Sequence, residues 1–104
     1  MSDSNPSSGL ADGDRQTALF LDLIAQQANM AFLLLGHTPN PQTGQITVDL
    51  EAARLFIDQL EMLQTKTKGN LNSVEEGRLK QALMAARMAF VETIQSPPKA
   101  PPAT

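Results

Sequence analysis

The chain has 104 residues, a net charge of −3 from 8 Lys+Arg against 11 Asp+Glu, and no cysteine, tryptophan or tyrosine. That length holds one domain, and the missing thiols exclude disulfides and thiolate zinc sites. The acidic balance argues against a general nucleic-acid or anionic-membrane surface.

Residues 1–13 are mostly Ser, Asn, Asp, Gly and Pro, and nothing in them repeats with a helical or strand period, so a disordered tail is expected. No basic region followed by an apolar run precedes the domain, and the expected location is cytoplasmic. A helical domain is expected over residues 14–95, followed by a Pro-rich disordered tail at 96–104 that contains Pro97, Pro98, Pro101 and Pro102. The ordered part, about 80 residues, is near the size at which one core supplies only a few kcal/mol, so association would help it.

The first helix is expected from Asp14 to Leu35, ending at Gly36 as a left-handed C-terminal residue. Asp22, Gln26 and Asn29 fall in one narrow stripe at 100° per residue, and nearly everything else is apolar apart from Gln27. An ordinary surface helix needs a much narrower apolar arc, which makes this helix central rather than peripheral. A membrane span is not expected: Asp22 near the middle costs about 2.5–3.5 kcal/mol on the insertion scale, and flanking aromatic and basic anchors are missing.

A Pro/Gly loop follows from His37 to Val48, with Pro39-Asn40-Pro41 and Thr43-Gly44 favouring an extended path and then a turn. The second helix starts near Asp49 as N-cap, with Val48 stapled back onto Ala53. Leu50, Ala53, Phe56, Ile57, Leu60 and Leu63 form its inner face, and it ends at Lys66-Thr67-Lys68-Gly69. The third helix starts at Asn72 or Ser73, since Asn72/Glu75 and Ser73/Glu76 both fit a capping box. It runs to about Ile94, with Leu79, Leu83, Ala86, Phe90 and Ile94 inward. The short link makes helices two and three an antiparallel hairpin. The fold class is therefore all-α: a three-helix arrangement with a long apolar first helix, a Pro/Gly loop and a C-terminal hairpin, expected to be oligomeric.

Apolar residues remain once these faces are assigned: Leu21, Ala25 and Phe32 on the first helix, Leu55 and Met62 on the second, and Met84, Met88 and Val91 on the third. Aligned surplus strips suggest a contiguous exposed patch, which is rare on monomers. Leu21, Phe32, Leu55, Met62, Met84, Met88 and Val91 are the expected interaction surface, in a homo-oligomer or against another protein. The competing structure is a curved monomeric bundle that closes these strips over the loop.

Little catalytic chemistry is visible. His37 is the sole histidine and has no second ligand or carboxylate cluster near it in sequence. Asp22, Gln26 and Asn29 would line a small-ligand pocket if they were buried together with His37; as a plain helix face they are solvent-side. Lys66 and Lys68 suggest an anion-binding turn, and with Arg54 and Lys80 a weak nucleic-acid contact, but cations also belong at a helix C-terminus for ordinary electrostatic reasons. The expectation is a non-catalytic, self-associating scaffold or interaction module that has no cofactor or metal.

Three stretches carry a family resemblance: Pro39-Asn40-Pro41 with Thr43-Gly44; Ile57-Asp58 through Leu60-Glu61-Met62-Leu63-Gln64 into Lys66-Thr67-Lys68-Gly69-Asn70-Leu71; and Arg87-Met88-Ala89-Phe90-Val91. In these the chain resembles the bacterial family known as domain of unknown function eighteen-forty-four, over roughly Phe20 to Val91. The resemblance implies a small bacterial helical domain and carries over no catalytic residue.

Overall fold

A computed structural model describes residues 12–97, so residues 1–11 and 98–104 of the two expected tails lie outside the described part. Three helices make up the structure: α1 (Asp12–Leu34), α2 (Leu50–Lys66) and α3 (Ser73–Gln95). Each packs against both others.

α1 begins two residues earlier than expected, at Asp12, with Asp12 and Asp14 in its first turn where the helix dipole favours negative charge. Its end is a Schellman turn: Gly36 at φ 80° donates its N–H to Leu33, and His37 donates to Phe32, each at 3.0 Å. The loop then folds on Asn40, whose side-chain oxygen accepts from Gln42 N–H while its carbonyl accepts from Gly44 N–H. It returns to α1 through a bridge between Leu35 and Val48 and a bond from Asp49 N–H to Leu34 O. Asp49 caps α2 by accepting from Ala52 N–H at 3.1 Å. Asn72 and Glu75 form the full capping box of α3.

α1 and α3 run parallel and in register. Thr17 Oγ1 donates to Glu75 Oε2 at one end, and at the other Thr93 Oγ1 donates to Leu35 O; both pairs are separated by 58 residues. The same offset places Thr17, Leu21, Ile24, Ala28, Ala31 and Leu35 level with Glu75, Leu79, Ala82, Ala86, Ala89 and Thr93. All twelve are buried or half-buried. Their spacing alternates four and three, the pattern of a left-handed coiled-coil seam. Alanine stands opposite alanine at two successive levels, Ala28 with Ala86 and Ala31 with Ala89, which lets the helix axes approach closely.

α2 runs antiparallel to both and closes the core with Ala53, Ile57 and Leu60. Ile24, Leu60, Leu79 and Leu83 are the large, fully enclosed side chains at its centre, and Leu35, Ala53 and Ala89 form a smaller cluster at the loop end.

Three expectations are corrected. Within one chain α1 is a corner of a three-cornered bundle, buried only along Ile24, Ala28 and Ala31, and not a helix surrounded on all sides. Ile94 is 53% exposed instead of inward, because Thr93 takes the last level of the seam and α1 ends there. Leu50, expected on the inner face of α2, is also exposed, at the same end of the bundle.

Candidate interaction surfaces

The seam with α3 uses one side of α1. The opposite side carries a second row with the same alternating spacing: Leu19, Leu23, Gln26, Met30 and Leu33. Leu19, Leu23 and Met30 are exposed, and Leu33 is half-buried. α1 is therefore apolar on two opposed faces and packs only one of them. Its best window has a mean hydropathy of 1.3, long and apolar enough by composition to cross a membrane, and 17% of that window is buried within the bundle.

Between the two faces, Gln27 Nε2 donates to Gln59 Oε1 of α2 at 2.9 Å. Since the helices are antiparallel, Leu23 lies near the level of Met62 and Met30 near that of Leu55. These four side chains are exposed on either side of the half-buried glutamine pair.

On α3, Met84, Met88 and Val91 point away from the core and are 60%, 66% and 51% exposed. Met88 and Val91 line a shallow depression of about 370 Å³ with Arg87, Glu92 and Gln95. Arg87 also pairs with Glu61 of α2, which ties this face to the hairpin. Leu55, Met62, Met84, Met88 and Val91 are thus all exposed.

Leu21 and Phe32 lie elsewhere. Leu21 is in the α1–α3 seam. Phe32 packs against both buried clusters and stacks on His37, with ring centroids 6.3 Å apart. The outer row of α1 is rotated away from them toward Leu19, Leu23 and Met30. Spacing shows that a second row exists, because the 4–3 alternation occurs twice in this helix, but not which of the two rows is buried.

The polar stripe is exposed: Asp22, Gln26 and Asn29 all face solvent, and Gln26 Nε2 donates to Asp22 Oδ2 at 2.7 Å within the helix. His37 lies past the end of α1, about two turns beyond Asn29 and four beyond Asp22; its Nε2 is 3.2 Å from Thr93 Oγ1. These four residues share no cleft. Among the described residues no group of three or more His, Asp or Glu side chains is placed to hold a metal ion.

The basic residues also divide. Lys68 and Lys80 line a cavity of about 360 Å³ with Gln64, Thr67, Leu71, Glu76 and Leu79. Lys66 is outside it, in the last turn of α2, and Arg54 is near the other end of that helix. No continuous basic face joins them.

Glu75 is the charged side chain most enclosed by the fold. Besides Thr17 it receives the Asn72 N–H at 2.9 Å, and Asn72 Nδ2 donates to Thr17 Oγ1 at 3.2 Å. The hydroxyl of Thr17, then the backbone N–H of Asn72, hold its carboxyl below the ordinary value of 4.5, against a smaller opposing effect of burial. The capping-box spacing announced Glu75; nothing local announced its partner on α1.

The family profile of a domain of unknown function (DUF1844) matches residues 17–92, which takes in all three helices and the loop between α1 and α2. The chain belongs to the DUF1844 family. The match starts at Thr17, the residue that joins α1 to the α3 cap in this DUF1844 domain. No curated protein and no solved structure matches the chain.

Proposed function

We propose that this DUF1844 domain is a non-catalytic, self-associating helical module that serves as a scaffold or adaptor in the bacterial cytoplasm, docking a partner protein through the outer strip of α3. One observation carries the reading. Among the described residues twelve large hydrophobic side chains are exposed, against eleven buried apolar residues of which five are alanine. The inner core is thin, and the unburied apolar surface lies in rows along the helices, the arrangement expected of a docking surface and not of scattered surface residues. Methionines at 84 and 88 suit a surface that adapts to its partner.

The test pairs molar mass with partner binding. The wild-type domain is expected to run as a stable multiple of 11.2 kDa. The double substitution Met84→Glu, Met88→Glu should lose specific partners recovered with the wild type while helicity by circular dichroism stays unchanged. Equal recovery by both proteins would contradict the α3 assignment. A second reading, a small anionic ligand, is favoured only by the Lys68/Lys80 cavity. It requires saturable, salt-sensitive binding that Lys68→Ala and Lys80→Ala abolish.

A further inference from the structure

Self-association leaves open which face is shared and how it is oriented. The outer row of α2 limits both. Along it stand Glu51, Leu55, Asp58, Gln59, Met62 and Lys66, with Glu51 in the first turn of the helix and Lys66 in the last. Glu51, Leu55, Met62 and Lys66 are all exposed. The row is a palindrome with inverted charge. Leu55 and Met62 are equidistant from the midpoint between Asp58 and Gln59, and so are Glu51 and Lys66.

A two-fold axis through that midpoint, perpendicular to the helix, lays α2 antiparallel on a second α2. Leu55 then meets the second copy's Met62, Glu51 meets its Lys66, and each contact occurs twice, as an isologous interface requires. A parallel arrangement would instead set Glu51 against Glu51 and Lys66 against Lys66. The same two-fold lays the outer row of α1 on its own copy, with Leu23 near the second copy's Met30. Asp22 then lies apart from its copy, and Asp58, turned toward the α3 side of the row, stays at the solvent edge.

The Gln27–Gln59 bond falls close to the centre of this face. A polar group within an apolar seam costs stability but penalises shifted registers, which fixes the pairing. The face is also large enough. α1 has 23 residues, giving about 34 Å of length, and two helices span about 20 Å. That footprint is comparable with the roughly 800 Å² per partner of a standard interface.

We infer that the occupant of the α1–α2 face is a second copy of this chain, packed antiparallel into a four-helix layer pair with reciprocal Glu51–Lys66 contacts. The inference rests on the self-association proposed above and adds its face and direction. It leaves the α3 strip pointing outward on both copies, free for a different protein.

The experiment uses the full chain in sedimentation equilibrium at low salt, with helicity followed in parallel. Glu51→Lys and Lys66→Glu should each weaken dimerisation roughly tenfold, since two exposed attractions become two repulsions. An equimolar mixture of the two variants should regain wild-type affinity, because both contacts then pair opposite charges. Leu55→Glu should give monomers, whereas Met84→Glu with Met88→Glu should leave the mass unchanged. A wild-type monomer at every concentration overturns this inference and the self-association together. A wild-type dimer indifferent to Leu55→Glu and Glu51→Lys overturns the face and leaves self-association standing. Weakened single variants that do not rescue each other overturn the antiparallel direction.

Discussion

Thr17 and Glu75 are 58 residues apart in the chain and joined by a 2.6 Å hydrogen bond between the second turn of α1 and the first turn of α3. Leu35 and Thr93 repeat the same offset at the opposite end. The two bonds span 18 residues of helix, about 27 Å, so they fix both the direction and the register of the α1–α3 seam. Everything packed between them follows from that register, including the facing alanines.

Glu75 makes the domain acid-sensitive in a defined direction. Its folded pKa is depressed below 4.5, so its contribution is fully present above that value and is lost as pH falls through the folded value. Thr17→Val removes the donor and keeps the size of the side chain. The variant should melt lower than wild type near neutral pH, and the gap should narrow on acidification. A gap independent of pH would show that Thr17 acts only by packing.

The alanine levels respond to volume. Ala86→Leu forces extra atoms between α1 and α3 and should cost about 1–3 kcal/mol in chemical denaturation. Leu79→Ala, which opens a cavity in the same seam, should cost about 2–5 kcal/mol. Met84→Ala, on the exposed strip, should stay within about 0.5 kcal/mol. If Met84→Ala cost as much as Leu79→Ala, the inside and outside of α3 would be reversed.

Two glycines should give opposite signs for one substitution. Gly69 sits at φ +86° with nothing near the position of an added Cβ, so Gly69→Ala carries only the backbone penalty, about 1–2 kcal/mol. Gly77 lies within α3, also with open space at its Cβ, and Gly77→Ala should stabilise by about 0.5–1 kcal/mol. Thermal melts of the two variants check this directly.

The helices, their caps and the loop reversal were legible in the sequence because each depends on neighbours: Asp49 with Ala52, Asn72 with Glu75, Gly36 with the turn before it. The orientation of α1 was not legible. A helix with Leu19, Leu23 and Met30 on one side and Ile24, Ala28 and Ala31 on the other offers two apolar faces, and only the partner helices decide which is buried. That ambiguity explains why Leu21 and Phe32 looked like surplus surface. The split of Lys66 from Lys68 has a similar origin. α2 ends between them, so one lysine follows the helical row while the other follows the turn into the cavity. Met84, Met88 and Val91 were easier to read, since α3 has a single strong inner seam and they lie opposite it.

Molar mass by light scattering over a range of concentrations decides whether this DUF1844 domain assembles. A stable multiple of 11.2 kDa is expected, falling toward the monomer when Leu55 is changed to Glu. A monomer at every concentration, with helicity intact, would contradict it.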